Sequence, residues 1–474
     1  MTPQRRSWID DWEVRRRRRS LWHELTGPQL FAGSFALLVL GGTLGLRLLP
    51  GLYTGPELGW LDALFTSVSA VCVTGLVVVD TATYFTPAGQ AFLLLLIQLG
   101  GLGIVTFTSL IIIALGRRLS LRHLALSGSA PEVAPHVEPR ALARDVVRFT
   151  FTIEAAGALL LYALWVPRFG WGSAAWPALF HSVSAFCNAG FSVFSDSMVG
   201  FQRSPLTLLV IAALVVAGGI GFLTLEELHL FRTARREGRQ LRISLHSRIV
   251  IATTALLLAG GWLGFAFFEW HITLAGLPWW DRAANALFLS VMPRTAGFNN
   301  VDYAQATDAT NFLTIILMFI GGSPGSTAGG LKTTTFALVG LLAWSRFRGR
   351  EVTSLWGRSI PEETIQRAVG LAVVAFALVT LSIFAYTATE LSGTSHAQSE
   401  GGFIRYMFEA VSAFNTVGLS MGVTAGLSEA GKLLTILLMY LGRVGPLTFA
   451  AALALRAPTP AGEFRYAYEE VVVG

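Results

Sequence analysis

The chain has 474 residues, of which 53% are hydrophobic and only 14% charged, whereas about a quarter of an ordinary soluble domain is charged. That composition excludes a soluble globular protein and calls for a bilayer. The net charge of +6 does not point to nucleic acid, because the arginines fall between apolar spans, where the positive-inside rule places them.

In chain order, the arm 1–27 carries Arg5, Arg6 and the run Arg15 to Arg19 and reads as cytoplasmic. An apolar span over 30–49 follows, long enough to cross ~30 Å of hydrocarbon at ~1.5 Å per residue. Residues 64–76, LFTSVSAVCVTGL, then form a pattern that returns as LFHSVSAFCNAGF at 179–191, LFLSVMPRTAGF at 287–298 and MFEAVSAFNTVGL at 407–419. Each copy is an apolar run of about three helical turns ending in one glycine: Gly75, Gly190, Gly297 and Gly418. A period of roughly 110–120 residues is too long for a solenoid and marks a duplicated unit of several membrane segments. Cys72 and Cys187 stand at equivalent places in the first two copies. They indicate neither a disulfide framework nor a metal site and read as small packing residues.

After the first copy, Pro87 opens a helix expected to run to about 115. The linker 116–148 holds Arg117, Arg118, Arg122, Arg140, Arg144 and Arg148 and reads as cytoplasmic. The cycle repeats with a helix over 146–166, an outer turn whose Trp171 and Trp176 suit the interfacial belt, the second pore segment, and a helix from 205 to about 230. Two later linkers are cytoplasmic by the same rule: Arg232, Arg235, Arg236, Arg239, Arg242 and Arg248, then Arg346, Arg348, Arg350, Arg358 and Arg367. The segments beside the pore runs instead carry Glu57, Asp62, Asp80, Asp196, Glu269, Asp281, Asp302, Asp308, Glu390, Glu400 and Glu409. These read either as an acidic vestibule that concentrates cations or as what remains once arginine is excluded from outer loops.

The expected fold is an all-α membrane protein of four tandem helix–pore loop–helix repeats around a central pore, with eight transmembrane helices and both termini cytoplasmic. Parallel repeats of this kind share an axis along the membrane normal. The expected divisions are the arm 1–27; repeat 1, 28–116; repeat 2 with its preceding linker, 117–231; repeat 3, 232–345; repeat 4, 346–456; and a cytoplasmic tail, 457–474.

A pore helix that stops halfway leaves irregular backbone at membrane depth, tolerated only where it is buried in protein or lines water. Glycine, lacking Cβ, admits positive φ and close neighbours. The candidate ion-binding backbone is therefore Val73-Thr74-Gly75, Asn188-Ala189-Gly190, Thr295-Ala296-Gly297 and Thr416-Val417-Gly418, whose carbonyls would replace an ion's hydration shell. No acidic residue occurs in these triplets, and neutral carbonyls suit a monovalent cation.

The inner helices align by a glycine pair or its remnant: Gly100-Gly101, Gly218-Gly219, Gly321-Gly322 and Gly442-Arg443. In the third, the pair opens into Ser323-Pro324-Gly325-Ser326-Thr327-Ala328-Gly329-Gly330, which cannot stay a regular helix. It is expected to be the only inner helix so broken and to form a gate beneath the glycine loops. Lys332 and Thr333 follow it, but without the GxxxxGK[ST] spacing of a phosphate-binding loop. Arg443, in an apolar helix, is a functional candidate by default. At ~10 Å from a passing cation and an effective dielectric of ~20 it would repel by roughly 1.7 kcal/mol.

RTAGFNNVD at 294–302 and IGGSPGSTAGGLKTTTF at 320–336 carry a resemblance to the membrane subunit of the Trk/Ktr/HKT potassium transporter superfamily, most of all its KtrB branch. It extends over roughly residues 30 to 474. The resemblance implies K⁺ uptake across the cell (inner) membrane and a homodimer with one pore per protomer. It further implies a cytosolic ring of nucleotide-binding RCK subunits, a loop in the third repeat that restricts conduction, and no cofactor beyond the transported K⁺. Plant relatives with serine in the first loop tend towards Na⁺; Gly75 stands there in this chain. The alternatives are a Na⁺-permeable HKT-like transporter and the ion-binding subunit of a P-type K⁺ pump. A secondary transporter by alternating access would call for inverted repeats and a mid-membrane carboxylate, and neither is evident in the sequence. An enzyme is not expected, since no set of nucleophile, histidine and carboxylate stands out, and His181 reads as a packed or water-facing histidine.

Overall fold

The computed structural model describes residues 27–103, 105–106, 139–238, 242–395, 398–399 and 401–455. The arginine arm, most of the first basic linker, the end of the first inner helix, Glu400 and the tail 457–474 lie outside the described residues.

Each repeat consists of an outer helix, a short pore helix and an inner helix. The first contains α1 (Gly27–Leu48), α2 (Trp60–Val71) and α3 (Pro87–Gly103). The second contains α4 (Pro139–Phe169), α5 (Trp171–Phe186), α6 (Pro205–Ile220) and α7 (Phe222–Arg236). The third contains α8 (Leu245–Glu269), α9 (Trp279–Val291), α10 (Asp308–Phe319) and α11 (Thr333–Phe347). The fourth contains α12 (Glu362–Glu390), α13 (Gly402–Phe414) and α14 (Glu429–Leu455). Before α12 a two-residue hairpin pairs Ser354 with Ser359. Its turn residues Trp356 and Gly357 both have positive φ, which the right-handed twist of paired strands favours.

Among the described residues, four helices are long and apolar enough to cross a membrane: Gln29–Leu48, Arg144–Phe169, Leu245–Glu269 and Glu362–Glu390. These are the four outer helices. Each buries a minority of its apolar window inside the protein, leaving the rest for lipid. The pore helices are the reverse, being buried along most of their length, and the phenylalanine second in each repeated motif, Phe65, Phe180, Phe288 and Phe408, is at most 1% exposed.

Lipid tails are as apolar as leucine, so packing between these helices depends on small residues and hydrogen bonds. The sequence supplies both. Pore-helix hydroxyls of Ser67, Ser182 and Ser290 donate to outer-helix carbonyls of Val39, Glu154 and Leu258 at 2.6–2.8 Å. Gly42, Gly157 and Gly261 leave room for those hydroxyls. Gly100, Gly218 and Gly442 likewise admit the last-turn pore-helix carbonyls of Val71, Phe186 and Phe414.

The second inner helix departs from the expected continuous run. It stops at Ile220 and resumes at Phe222 after a bend of 99° at Gly221, whose φ is +93°. The departing half, α7, is pinned to the start of α8 through Glu227, which accepts hydrogen bonds from Ser244 N–H, Ser244 Oγ and Ser247 Oγ.

Candidate functional site: four glycine loops and a broken helix

The first, second and fourth pore helices end in the same way. Their C-caps, Cys72, Cys187 and Asn415, are followed by Val73, Asn188 and Thr416 at φ of 56°, 60° and 50°. Amides of Thr74, Ala189 and Val417 return to carbonyls of Ser69, Ser184 and Ser412, while those of Val73, Asn188 and Thr416 bond Ala70, Ala185 and Ala413. This is the Schellman arrangement, which normally places glycine in the left-handed position. The β-branched Val73 and Thr416, unfavourable there, hold strain of about 1–3 kcal/mol each. The third loop is one residue shorter but reaches the same conformation, with Thr295 at φ 67°.

Two residues later each loop turns left-handed again at Gly75, Gly190, Gly297 and Gly418, while the residue between stays on the negative-φ side. This alternation turns successive carbonyls towards one side of the strand. The loops then close on one another in chain order. A Cβ built on Gly75 would stand 3.2 Å from the Cα of Gly190, one on Gly190 2.8 Å from Gly297, one on Gly297 3.2 Å from Gly418, and one on Gly418 3.0 Å from Gly75. The same hypothetical atoms meet the carbonyl oxygens of Ala189, Ala296, Val417 and Thr74. The four glycines and the four middle residues before them therefore meet in one ring, with each middle-residue carbonyl against the neighbouring loop's glycine. Serine hydroxyls brace the loops from behind: Ser69 and Ser184 donate to Leu76 and Phe191 carbonyls at 2.7 Å, and Ser412 accepts from Gly418 N–H at 3.1 Å. The buried hydroxyls of Thr74, Thr295 and Thr416 have no protein partner among the described residues.

Residues 320–332 separate α10 from α11 and contain the whole sequence-identified break, Gly321 through Gly330. Their backbone groups are satisfied by neighbours rather than by helix. Ser323 and Thr327 amides donate to Gly219 and Gly218 carbonyls at the end of α6, Phe222 N–H donates to Gly325 O at 3.0 Å, and Gly321 N–H donates to Leu331 O at 2.8 Å. The loop thus docks into the Gly221 bend, so the expectation of a single broken inner helix is corrected. Among the described residues two inner helices break, and the carbonyls that the loop bonds are those released where α6 ends. Thr327 Oγ1 also bonds Phe186 O at the deep end of α5, and Gly329 and Gly330 pack against Thr416 and Asn415.

Three buried or half-buried cations hold this loop. Arg443 Nη1 donates to Thr327 O, Lys332 Nζ to Ala328 O at 2.6 Å, and Arg294 Nη2 to Gly321 O at 3.2 Å. Sequence reasoning singled out Arg443 but used Lys332 only to dismiss a nucleotide loop and Arg294 only as part of a motif. The rule that flagged Arg443, an ionisable residue inside an apolar span, applies to both. A carboxylate also lies midway along the second outer helix, contrary to the sequence expectation. Glu154 is 3% exposed and accepts from Gln98 Nε2 at 3.1 Å and from the Cys187 thiol. A single glutamate in a long helix gives no periodic signal.

The other expectations divide. His181 is packed, with its ring nitrogens at Pro177 O (2.8 Å) and Ser192 Oγ (2.9 Å) and its face stacked on Phe194. Much of the acidic set is engaged in structure: Glu57 pairs with Arg47, Asp62 with Lys432, and Asp80 caps the helix at Thr81. Glu269 and Glu409 accept from Thr307 and Thr424 hydroxyls.

A family model described as TrkH, cation transport protein, matches residues 36–463. The chain is 36% identical over 451 residues to the potassium/sodium uptake protein NtpJ of Enterococcus hirae, covering 95% of this chain and 98% of that one. It is 38% identical over 455 residues to the Ktr system potassium uptake protein B of Bacillus subtilis, covering 96% and 98%. Among solved structures, the potassium transporter TrkH from Vibrio parahaemolyticus superposes with a TM-score of 0.70 at 21% identity, covering 92% of this chain and 86% of that one, a likeness of fold.

Proposed function

The chain belongs to the TrkH family of cation transport proteins, and on that premise we propose that it is the K⁺-translocating subunit of a Ktr/Trk-type uptake system. The observation that carries this reading is the closed ring of four left-handed glycines in chain order. An ion entering the ring exchanges hydration waters for the carbonyls of residues 73–75, 188–190, 295–297 and 416–418. With no carboxylate in these triplets, selection depends on the number and field of the carbonyl dipoles. Eight spans with both termini cytoplasmic, in the cell membrane, follow if each inner helix crosses together with its broken continuation.

Conduction is limited beneath the ring by residues 321–330, held by Arg443. The loop lies against the deep ends of α5 and α13, so an ion leaving the ring meets it next. Energy input or regulation comes from a partner, the cytosolic RCK-type nucleotide-binding ring expected of Ktr relatives, acting on a homodimer with one pore per protomer. The name of the Enterococcus hirae relative includes sodium, which keeps Na⁺ permeation as the second reading. The test is ion flux in vesicles reconstituted with the full chain, with and without its cytosolic partner, under K⁺/Na⁺ competition. K⁺-preferring flux supports the proposal. Flux without preference points to the Na⁺-permeable reading, and no flux in either condition overturns translocation by this subunit.

A further inference from the structure

A cavity of about 330 Å³ opens where α4 ends and α6 begins, lined by Leu164, Trp165, Pro167, Arg168, Phe201 and Arg203 together with Gly200 and Ser204. We propose that this pocket binds the phosphate of an anionic phospholipid headgroup at the outer rim of the bilayer. The flanking segments of the four pore runs are otherwise rich in acid, and two other arginines near them are spent: Arg47 pairs with Glu57, and Arg282 donates to the carbonyls of Ala275, Leu277 and Trp270. Arg168 and Arg203 differ. Arg168 uses one donor on Gly200 O at 3.0 Å and lies over the rings of Phe201 at 4.7 Å and Phe169 at 5.3 Å. That leaves the rest of its five-donor fork held in place beside the cavity. Arg203 is exposed and has no acidic or carbonyl partner among the described residues. The nearby carboxylate, Asp196, stands on the Gly200 side and offsets only part of this double charge.

Below the two guanidiniums the lining is apolar, with Trp165 and Phe201 buried. The adjoining span, Arg144–Phe169, is mostly unburied, and Leu160, about two turns before Arg168, is 56% exposed. Acyl chains lying on that face bring the glycerol and phosphate to the level of Arg168. Guanidinium is the group best matched to phosphate oxygens in geometry, and two of them at one pocket offer a phosphate both charge and a fork of donors. A free inorganic anion would need the charges but not the apolar floor.

The experiment uses the full-length protein, purified in mild detergent, delipidated, and offered phosphatidylglycerol or phosphatidylcholine, with bound lipid counted by native mass spectrometry. Arg203→Gln removes an exposed charge that has no hydrogen bond or ion pair among the described residues, and Arg168→Gln/Arg203→Gln removes both charges. The expected result is a loss of phosphatidylglycerol affinity of roughly tenfold or more in the double variant, a smaller loss in Arg203→Gln, and unchanged phosphatidylcholine binding. Phosphatidylglycerol binding that survives both substitutions overturns the proposal. So does equal protection by inorganic phosphate, or an oligomeric state that shifts with the substitutions independently of lipid. The readout is lipid count, so a failure here is distinct from a failure of K⁺ translocation.

Discussion

Val73 and Thr416 place β-branched side chains at positive φ, which a chain tolerates only where the surroundings over-determine the conformation. Here the ring does so, because each loop's glycine abuts the next. Gly75→Ser adds a Cβ at φ +97° against the Ala189 carbonyl. The expected outcome is a K⁺/Na⁺ preference reduced by at least severalfold, read by ion competition in vesicles, with selectivity moving more than folded yield. Serine substitution at all four glycine positions in turn with no change in selectivity would dismiss the filter. Arg443 acts at the same scale. It is 1% exposed, and its Nε and Nη2 have no hydrogen-bond partner among the described residues; in the proposed gate its charge acts on the ion beneath the ring. Removing ~1–2 kcal/mol of repulsion in Arg443→Ala should raise partner-free K⁺ flux several-fold. The opposing result, well-folded protein with wild-type flux, assigns the arginine to packing alone.

At the scale of elements, two of the described inner helices are broken where one was expected, and the proposed gate involves both. The loop between α10 and α11 donates to the Gly218 and Gly219 carbonyls left free at the end of α6, and its own Gly325 carbonyl accepts from Phe222 N–H at the start of α7. Deleting residues 323–329 should therefore raise K⁺ flux and weaken its dependence on a cytosolic partner. Gly221→Ala is a milder version, since its Cβ would lie 2.7 Å from the Pro324 carbonyl at φ +93°. The strain, of about 1 kcal/mol or more, should loosen loop docking and shift flux in the same direction by less. Flux in vesicles, after size exclusion has established folding, checks both. Combined with Arg443→Ala, either change should be less than additive, because the arginine holds the same loop. Reduced flux in both well-folded variants would make the loop a conduit wall rather than a barrier.

The whole molecule depends on the ring of repeats closing. Ser195 of repeat 2 bonds Asp80 of repeat 1 at 2.6 Å, Gln202 of repeat 2 bonds Asn300 of repeat 3 at 2.7 Å, and Tyr303 of repeat 3 packs on Phe408 of repeat 4 at 5.3 Å. Repeat 4 returns to repeat 1 through Lys432–Asp62 at 2.7 Å, half-buried, and through Tyr440 to the Ala32 carbonyl. Asp62→Asn should lower the thermal midpoint in detergent by about one degree, as expected for about 1 kcal/mol in a chain this long. The charge-swapped pair Asp62→Lys/Lys432→Asp should recover part of it; a midpoint unmoved by Asp62→Asn would remove this bridge from the closure. The repeats, the four loops, the broken third helix and Arg443 were legible in the sequence because each is a local pattern: a recurring motif, a glycine run that no helix accommodates, a charge in an apolar stretch. The break at Gly221 was not, because glycines within an apolar run cost a helix only about 1 kcal/mol each, Gly100-Gly101-Leu102-Gly103 carries the same pattern and stays helical, and the docked loop that makes the bend favourable comes from another repeat. The roles of Lys332 and Arg294 were hidden for the same reason, since the carbonyls they hold are exposed only once the loop has folded. By itself the sequence determined what each repeat contains. The tertiary structure decided which repeat's carbonyls meet which repeat's donors, because in a bilayer every backbone group freed from a helix must find its partner within the protein.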